Sequence, residues 1–305
     1  MLRVWDIKSG MIKELLAENR NDILCVESQV VDEPITDKGL FFYHIPKTGG
    51  LTFYYALRFA FEMKNHLKGG GLLTSRIERD LPDRRLYLHE KEPFQPPMNL
   101  RESPWGFIAT HEPFGLHDLF SRNFFLTTIV RDPVSRVASE YTYSCMRADT
   151  MPNESDFEKY FRAEENREVG VRQLSGRMGV IVEDALETAI SNLEDHFHSF
   201  ISIDRIQGLL EVYLSLFGLP NVIMENANRT LPRFQMDSSK FSDEIETLNT
   251  LDAALFKYVL GNGRMPDIGS VKEGISPDCV IIQETEKRDA SSIRYRHCLT
   301  SDIIE

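Results

Sequence analysis

The chain alternates short apolar runs with longer stretches of helical periodicity. Residues 40–45 (LFFYHI) form a continuous apolar run, the pattern of a strand buried on both faces. Residues 51–64 (LTFYYALRFAFEMK) carry apolar positions at helical spacing, and KNHLKGGG (64–71) supplies a helix stop and a turn. Residues 72–104 are polar and proline-rich and predict mostly loop, with one strand expected at 85–89. Two further buried strands are expected at 105–111 (WGFIATH) and 124–130 (FFLTTIV). Asp132 then Pro133 is an N-cap followed by a first helical residue, so a helix starts there and runs to about Met146. Residues 152–168 and 181–196 predict two more helices. A fourth strand is expected at 198–203, with Asp204 placed to cap a helix over 205–217 that FGLP closes with glycine then proline. Residues 243–260 read as an amphipathic helix, and CVIIQE (279–284) and SIRYRHCL (292–299) predict two extra strands.

Strands alternating with helices imply an α/β fold: a three-layer sandwich, P-loop-like in layout, with a central parallel sheet and helices on both faces. The expected division is an N-terminal extension over 1–37, one principal domain over 38–262, and a tail over 263–305 whose strands pack on the same domain. LRVWDIKSG (2–10) looks like the end of a propeller blade, but no second copy follows at a fixed period.

Ligands of such sheets bind at the carboxyl ends of the strands, and two loops there carry anion-binding chemistry. The first is FFYHIPKTGG (41–50). A strand, a glycine turn and a helix start make a nest of backbone N–H groups under the positive end of the helix dipole. Lys47 adds a point charge, Thr48 and Thr52 add hydroxyls, and Gly49 and Gly50 let the backbone approach an anion. Taken alone, the same residues describe an ordinary turn with an exposed lysine. The glycines and lysine are not in the order of the nucleotide triphosphatase loop, GxxxxGK[ST], because Lys47 precedes them. The second loop is RDPVSRVASEY (131–141), in which Arg131 leaves a strand and Ser139 lies two turns into the next helix. A guanidinium at that point suits a phosphate, though it equally suits a pairing with Asp132. Arg136 reads as a helix-surface ion-pair residue. His111 stands at a third strand end, with His44 and His117 as weaker candidates for chemistry.

Charge narrows the partners. The formal net charge of −12 argues against a general nucleic-acid binder and requires any phosphate site to rest on local donors. The four cysteines, Cys25, Cys145, Cys279 and Cys298, are far apart with no CxxC spacing, which predicts free thiols in a reducing compartment and no zinc site. No run of 18 apolar residues predicts a membrane span, and the N-terminus lacks a secretory pattern. A cytoplasmic location is expected, or the Golgi lumen if an anchor precedes the chain.

The two loops together resemble the sulfotransferases that use 3′-phosphoadenosine 5′-phosphosulfate (PAPS), most of all the carbohydrate branch that includes heparan sulfate 2-O-sulfotransferase. That branch carries a PKT(A/G)GT(S/T) loop and an RDPxxRxxSxY segment. THEPFGLH (110–117), VRQLSG (171–176), NLEDHF (192–197) and LDAALFKYV (251–259) are similar to further family stretches, so the resemblance spans about residues 38–260. It implies that Lys47, Thr48, Gly49, Gly50, Leu51 and Thr52 cradle the 5′-phosphosulfate and that Arg131 and Ser139 hold the 3′-phosphate. It implies His111 as catalytic base, Lys47 as neutraliser of the leaving group, and further cofactor contacts near Asn228 and Thr230. Leu51 departs from a family threonine, and Thr110 from a glycine. The implied reaction yields adenosine 3′,5′-bisphosphate (PAP), needs no metal, and sulfates a hydroxyl of a glycan or glycosylated small molecule. Arg172, Arg177, Arg229 and Arg233 are candidates to meet an acidic sugar, although the acidic balance favours a neutral or mildly charged acceptor. The rival readings are a nucleotide-dependent kinase and a non-catalytic anion- or glycan-binding module on the same fold.

Overall fold

The computed structural model describes residues 23–31, 37–68, 73–77, 98–102, 105–179, 181–225, 232–268, 271–275, 279–285 and 294–299. Its centre is a five-stranded, all-parallel sheet made of β3 (Gly39–Tyr43), β4 (Leu73–Ile77), β5 (Trp105–Thr110), β6 (Phe124–Val130) and β7 (Phe197–Ser202), in the spatial order β4-β5-β3-β6-β7. All five residues of β3 are buried, as its unbroken apolar run predicts. Leu40 and Phe42 pack on one face with helix α1 (Gly50–Lys68) and α7 (Ile206–Leu216). Phe41 and Tyr43 pack on the other with α5 (Val169–Leu174), α6 (Ala185–His196) and α9 (Thr250–Asn262). This is the expected α/β three-layer sandwich. Each buried Phe ring contributes about 2–3 kcal/mol of apolar transfer energy.

Four remaining helices complete the set: α2 (Met98–Arg101), α3 (Pro133–Ala148), α4 (Glu154–Arg162) and α8 (Ser242–Leu248). The start of α3 forms as its sequence dictates. Pro133 is the first helical residue, and the Asp132 carboxylate accepts the Ser135 N–H at 2.8 Å. Helices α3, α4 and α8 share a separate apolar cluster around Phe157, Phe161 and Phe241.

A second sheet joins β1 (Ile23–Val26), β8 (Asn221–Glu225), β10 (Cys279–Thr285) and β11 (Arg294–Leu299), and β2 (Gln29–Val31) pairs with β9 (Val271–Ile275). Both expected tail strands are therefore present as β10 and β11.

Several elements differ from the sequence reading. β4 forms where loop was expected, because an edge strand tolerates the Thr, Ser and Arg of LTSRI. β1, β2 and β8 are short runs with too few residues to show a period. Asp204 does not cap α7: it lies inside a 3-10 turn, Ile203–Arg205, and the N-cap is Arg205 with no side-chain bond. The stretch 152–168 yields only α4 followed by a 3-10 turn, and 243–260 is split at Asn249 into α8 and α9. The strand expected at 85–89 lies outside the described residues.

The strand order sets the site. The chain leaves β3 toward β4 and β5 on one side, then crosses over to β6 and β7 on the other. The reversal opens a crevice at the carboxyl ends of β3 and β6. The PKTGG loop follows β3, Arg131 follows β6 and His111 follows β5, so three adjacent strands deliver all three.

Candidate active site

The PKTGG loop makes a tight turn between β3 and α1. Lys47 has φ 67° and Gly49 φ 82°, both in the left-handed region. A lysine there is uncommon and must be held. Arg131 holds it, donating from Nη1 to the Lys47 carbonyl at 3.2 Å across the crevice. Thr48 is fully buried and its hydroxyl donates to the Ile45 carbonyl at 2.8 Å, which closes the turn. Gly50 lies under the His44 ring, where a Cβ would stand 1.9 Å from the ring carbon Cδ2. No larger residue fits that place without displacing the ring.

The Lys47 ammonium sits over the face of the Tyr143 ring, 4.0 Å from its centroid. Burial pushes its pKa down to about 8; Glu140 opposes that shift and Arg131 adds to it. Arg131 is also lowered, first by burial and then by Arg136, against the pull of Asp132. Asp132 is engaged as the N-cap, and among the described residues neither Lys47 nor Arg131 forms an ion pair. Two half-buried cations, held by a ring face and a backbone carbonyl but with no ion-paired carboxylate among the described residues, are only partly compensated for their lost hydration. That is the arrangement expected of residues that complete their coordination with an anionic ligand. Ser139 lies one turn before Tyr143 on α3, hence on the same face of that helix.

His111 is half-exposed at the end of β5. Its Nδ1 lies 2.6 Å from the His44 carbonyl oxygen. A carbonyl only accepts, so Nδ1 carries the hydrogen and the neutral ring has its lone pair on Nε2. The two histidine rings lie 4.4 Å apart at 34°. The Thr110 hydroxyl accepts the Glu112 N–H at 2.9 Å, so the residue that departs from the family glycine closes a small turn around His111.

Residues 35–215, more than half of the chain, match the model of the sulfotransferase family. The chain belongs to the sulfotransferase family. Among curated proteins, no sequence matches it.

In this sulfotransferase Lys47, Thr48, Gly49, Gly50, Leu51 and Thr52 share one loop and first helical turn, with Arg131 directly across from them. Leu51 is half-buried there. Asn228 and Thr230 lie outside the described residues. Arg136 is not a surface residue: it is 2 % exposed, pairs with Glu140 at 2.7 Å and donates to the Asn166 carbonyl. His117 is a brace for the core. Its Nδ1 accepts from the Tyr43 hydroxyl at 2.7 Å, and that hydroxyl accepts the N–H groups of Gly115 and His117. Of the arginines considered for an acidic sugar, Arg172 is buried and donates to backbone carbonyls, Arg177 pairs with Asp184, and Arg233 pairs with Asp149. Arg229 lies outside the described residues.

Two contributors escaped the sequence reading. Tyr143 was findable, since it stands at i+4 from Ser139. Gln173 lies in the family-like VRQLSG stretch, but its contacts could not be read there because they are 61 and 63 residues away. Among the described residues no group of three or more His, Cys, Asp or Glu is arranged to hold a metal ion, and no helix is long and apolar enough to cross a membrane.

Proposed function

We propose that this sulfotransferase moves a sulfuryl group from PAPS to an acceptor hydroxyl, as in the carbohydrate branch. The observation that carries the reading is the Lys47–Arg131 pair: two half-buried cations on facing loops, bridged by the Lys47 carbonyl and lacking an ion-pair partner among the described residues. Two separated cationic points suit a nucleotide with anionic groups at both its 5′ and 3′ positions. Lys47, the Thr48–Gly50 backbone and Thr52 serve the 5′-phosphosulfate; Arg131 and Ser139 serve the 3′-phosphate.

In the transfer, the acceptor oxygen bonds to sulfur as the bond from sulfur to the bridging phosphate oxygen breaks. The hydroxyl proton goes to His111 Nε2, whose lone pair is fixed by the Nδ1 bond to His44. The electron pair of the broken bond stays on the departing phosphate, where the Lys47 ammonium neutralises it. The acceptor is a saccharide hydroxyl, neutral or mildly charged. The internal pairing of Arg172, Arg177 and Arg233 and the net charge of −12 support that choice.

Thermal shift with PAP against ATP–Mg²⁺ tests the donor. Stabilisation by PAP is expected, growing with concentration as RT ln(1 + [L]/Kd). Stabilisation by ATP–Mg²⁺ alone would overturn the reading.

A further inference from the structure

The segment around His111 is pinned from below by one side chain. Gln173, on α5, is 1 % exposed. Its amide nitrogen donates to the Glu112 carbonyl at 3.2 Å and, more loosely, to the Thr110 carbonyl at 3.4 Å. Those two carbonyls flank His111 in the chain. Both partners are acceptors only, which fixes the amide with its NH₂ group toward them. The Gln173 backbone carbonyl also accepts the Phe114 N–H at 2.8 Å. The same Thr110 carbonyl accepts the His44 N–H at 2.8 Å, so β3, β5 and α5 meet at one oxygen next to the histidine.

Helix α5 is itself anchored. Asp252 accepts the N–H groups of Gly170 and Val171 at 3.2 and 2.8 Å, and Glu168 accepts those of Leu251 and Asp252 at 3.0 and 2.6 Å. A six-residue helix fixed at its first turn by a second helix is a firm base for one buried amide. An imidazole that must meet an acceptor proton loses rate steeply when displaced by fractions of an ångström.

We propose that Gln173 is a positioning residue for catalysis: it bridges the carbonyls of Thr110 and Glu112 and so fixes the backbone from which His111 Nδ1 reaches the His44 carbonyl. The proposal rests on His111 acting as base. It concerns the rate of transfer and leaves the nucleotide cradle untouched, since among the described residues the Gln173 side chain hydrogen-bonds to neither the PKTGG loop nor Arg131.

The test compares Gln173→Met, which keeps length without donors, with Gln173→Glu and His111→Ala. Three quantities are read: PAP affinity by titration calorimetry, transfer from radiolabelled PAPS to desalted lysate glycans, and the His111 ring tautomer by ¹⁵N NMR. For Gln173→Met the expected result is PAP affinity within about twofold of wild type, a rate lower by about tenfold, and a weakened Nδ1–H preference in His111. For Gln173→Glu only the protonated carboxyl can donate, so its activity relative to wild type rises as pH falls. An unchanged rate and tautomer in Gln173→Met, while His111→Ala is inactive, overturns the positioning role and leaves the base intact. An undiminished rate in His111→Ala refutes the base reading instead. If Gln173→Met does not fold, Gln173→Glu decides, and a pH-independent activity ratio overturns the proposal.

Discussion

Glu168 and Asp252 cap each other's helices. Each carboxylate accepts two backbone N–H groups at the N-terminus of the helix that carries or follows the other residue. Both are buried, and burial raises both pKa values; repulsion from Asp252 adds to the rise of Glu168, which reaches about 7. Arg172 pulls both back, and Arg136 also pulls on Asp252. In the unfolded chain a glutamate titrates near ~4.3. The folded state therefore binds more protons between these values, and its contribution to stability is lost as pH rises through about 7. Glu168→Gln removes that proton uptake. The gap in Tm between wild type and Glu168→Gln is expected to narrow from about pH 5 to about pH 8. Thermal denaturation across that range checks it, and a gap that widens speaks against the linkage.

Lys47, with its pKa pushed down to about 8, loses its ammonium in the mildly alkaline range. Its charge is present below that value and lost above it. PAP affinity should fall as pH rises through about 8, read by titration calorimetry. Lys47→Arg stays charged and should lose this pH dependence while binding PAP more weakly overall, since the fork does not match the lysine's reach. A pH dependence that survives Lys47→Arg assigns it to another group.

Tyr143 offers Lys47 a ring face. A cation over an aromatic ring is worth about 0.5–2 kcal/mol, or roughly 2- to 30-fold. Tyr143→Phe keeps the ring and should stay within about twofold of wild type in PAP affinity. Tyr143→Leu should weaken it by the larger factor. Equal behaviour of the two variants would show that the ring face is idle.

Arg131→Ala should weaken PAP by about 10- to 100-fold, the range for loss of a charged hydrogen-bonding partner. Adenosine 5′-phosphosulfate, which has no 3′-phosphate, should weaken far less. The residual effect on that ligand reports the lost bond to the Lys47 carbonyl. Competition of both ligands against a fluorescent PAP analogue measures the difference.

The elements nearest the site were the most legible in the sequence. β6 runs over the expected 124–130, and α3 starts on its predicted cap, because both signals are local and strong. The loops after β3 and β6 were readable for the same reason: each sits in a few contiguous residues. What was hidden depends on distant partners. LTSRI forms β4 only because β5 lies beside it, and NVIME forms β8 only between β1 and β10. Arg136 and Arg172 look like surface charges in the chain, yet tertiary packing buries them against backbone carbonyls. Gln173 is polar in a short helix, and nothing local marks it as the partner of residues 110 and 112.

The pairing of β1 with β8 gives the first described residues a protective duty. Ile23–Val26 cover one long side of β8, whose other side is taken by β10. A chain shortened to begin at the PKTGG domain would leave that row of N–H and C=O groups open, a template for another molecule's strand. Self-association would then follow from a cut made far from the crevice, with the loops after β3, β5 and β6 themselves unaltered.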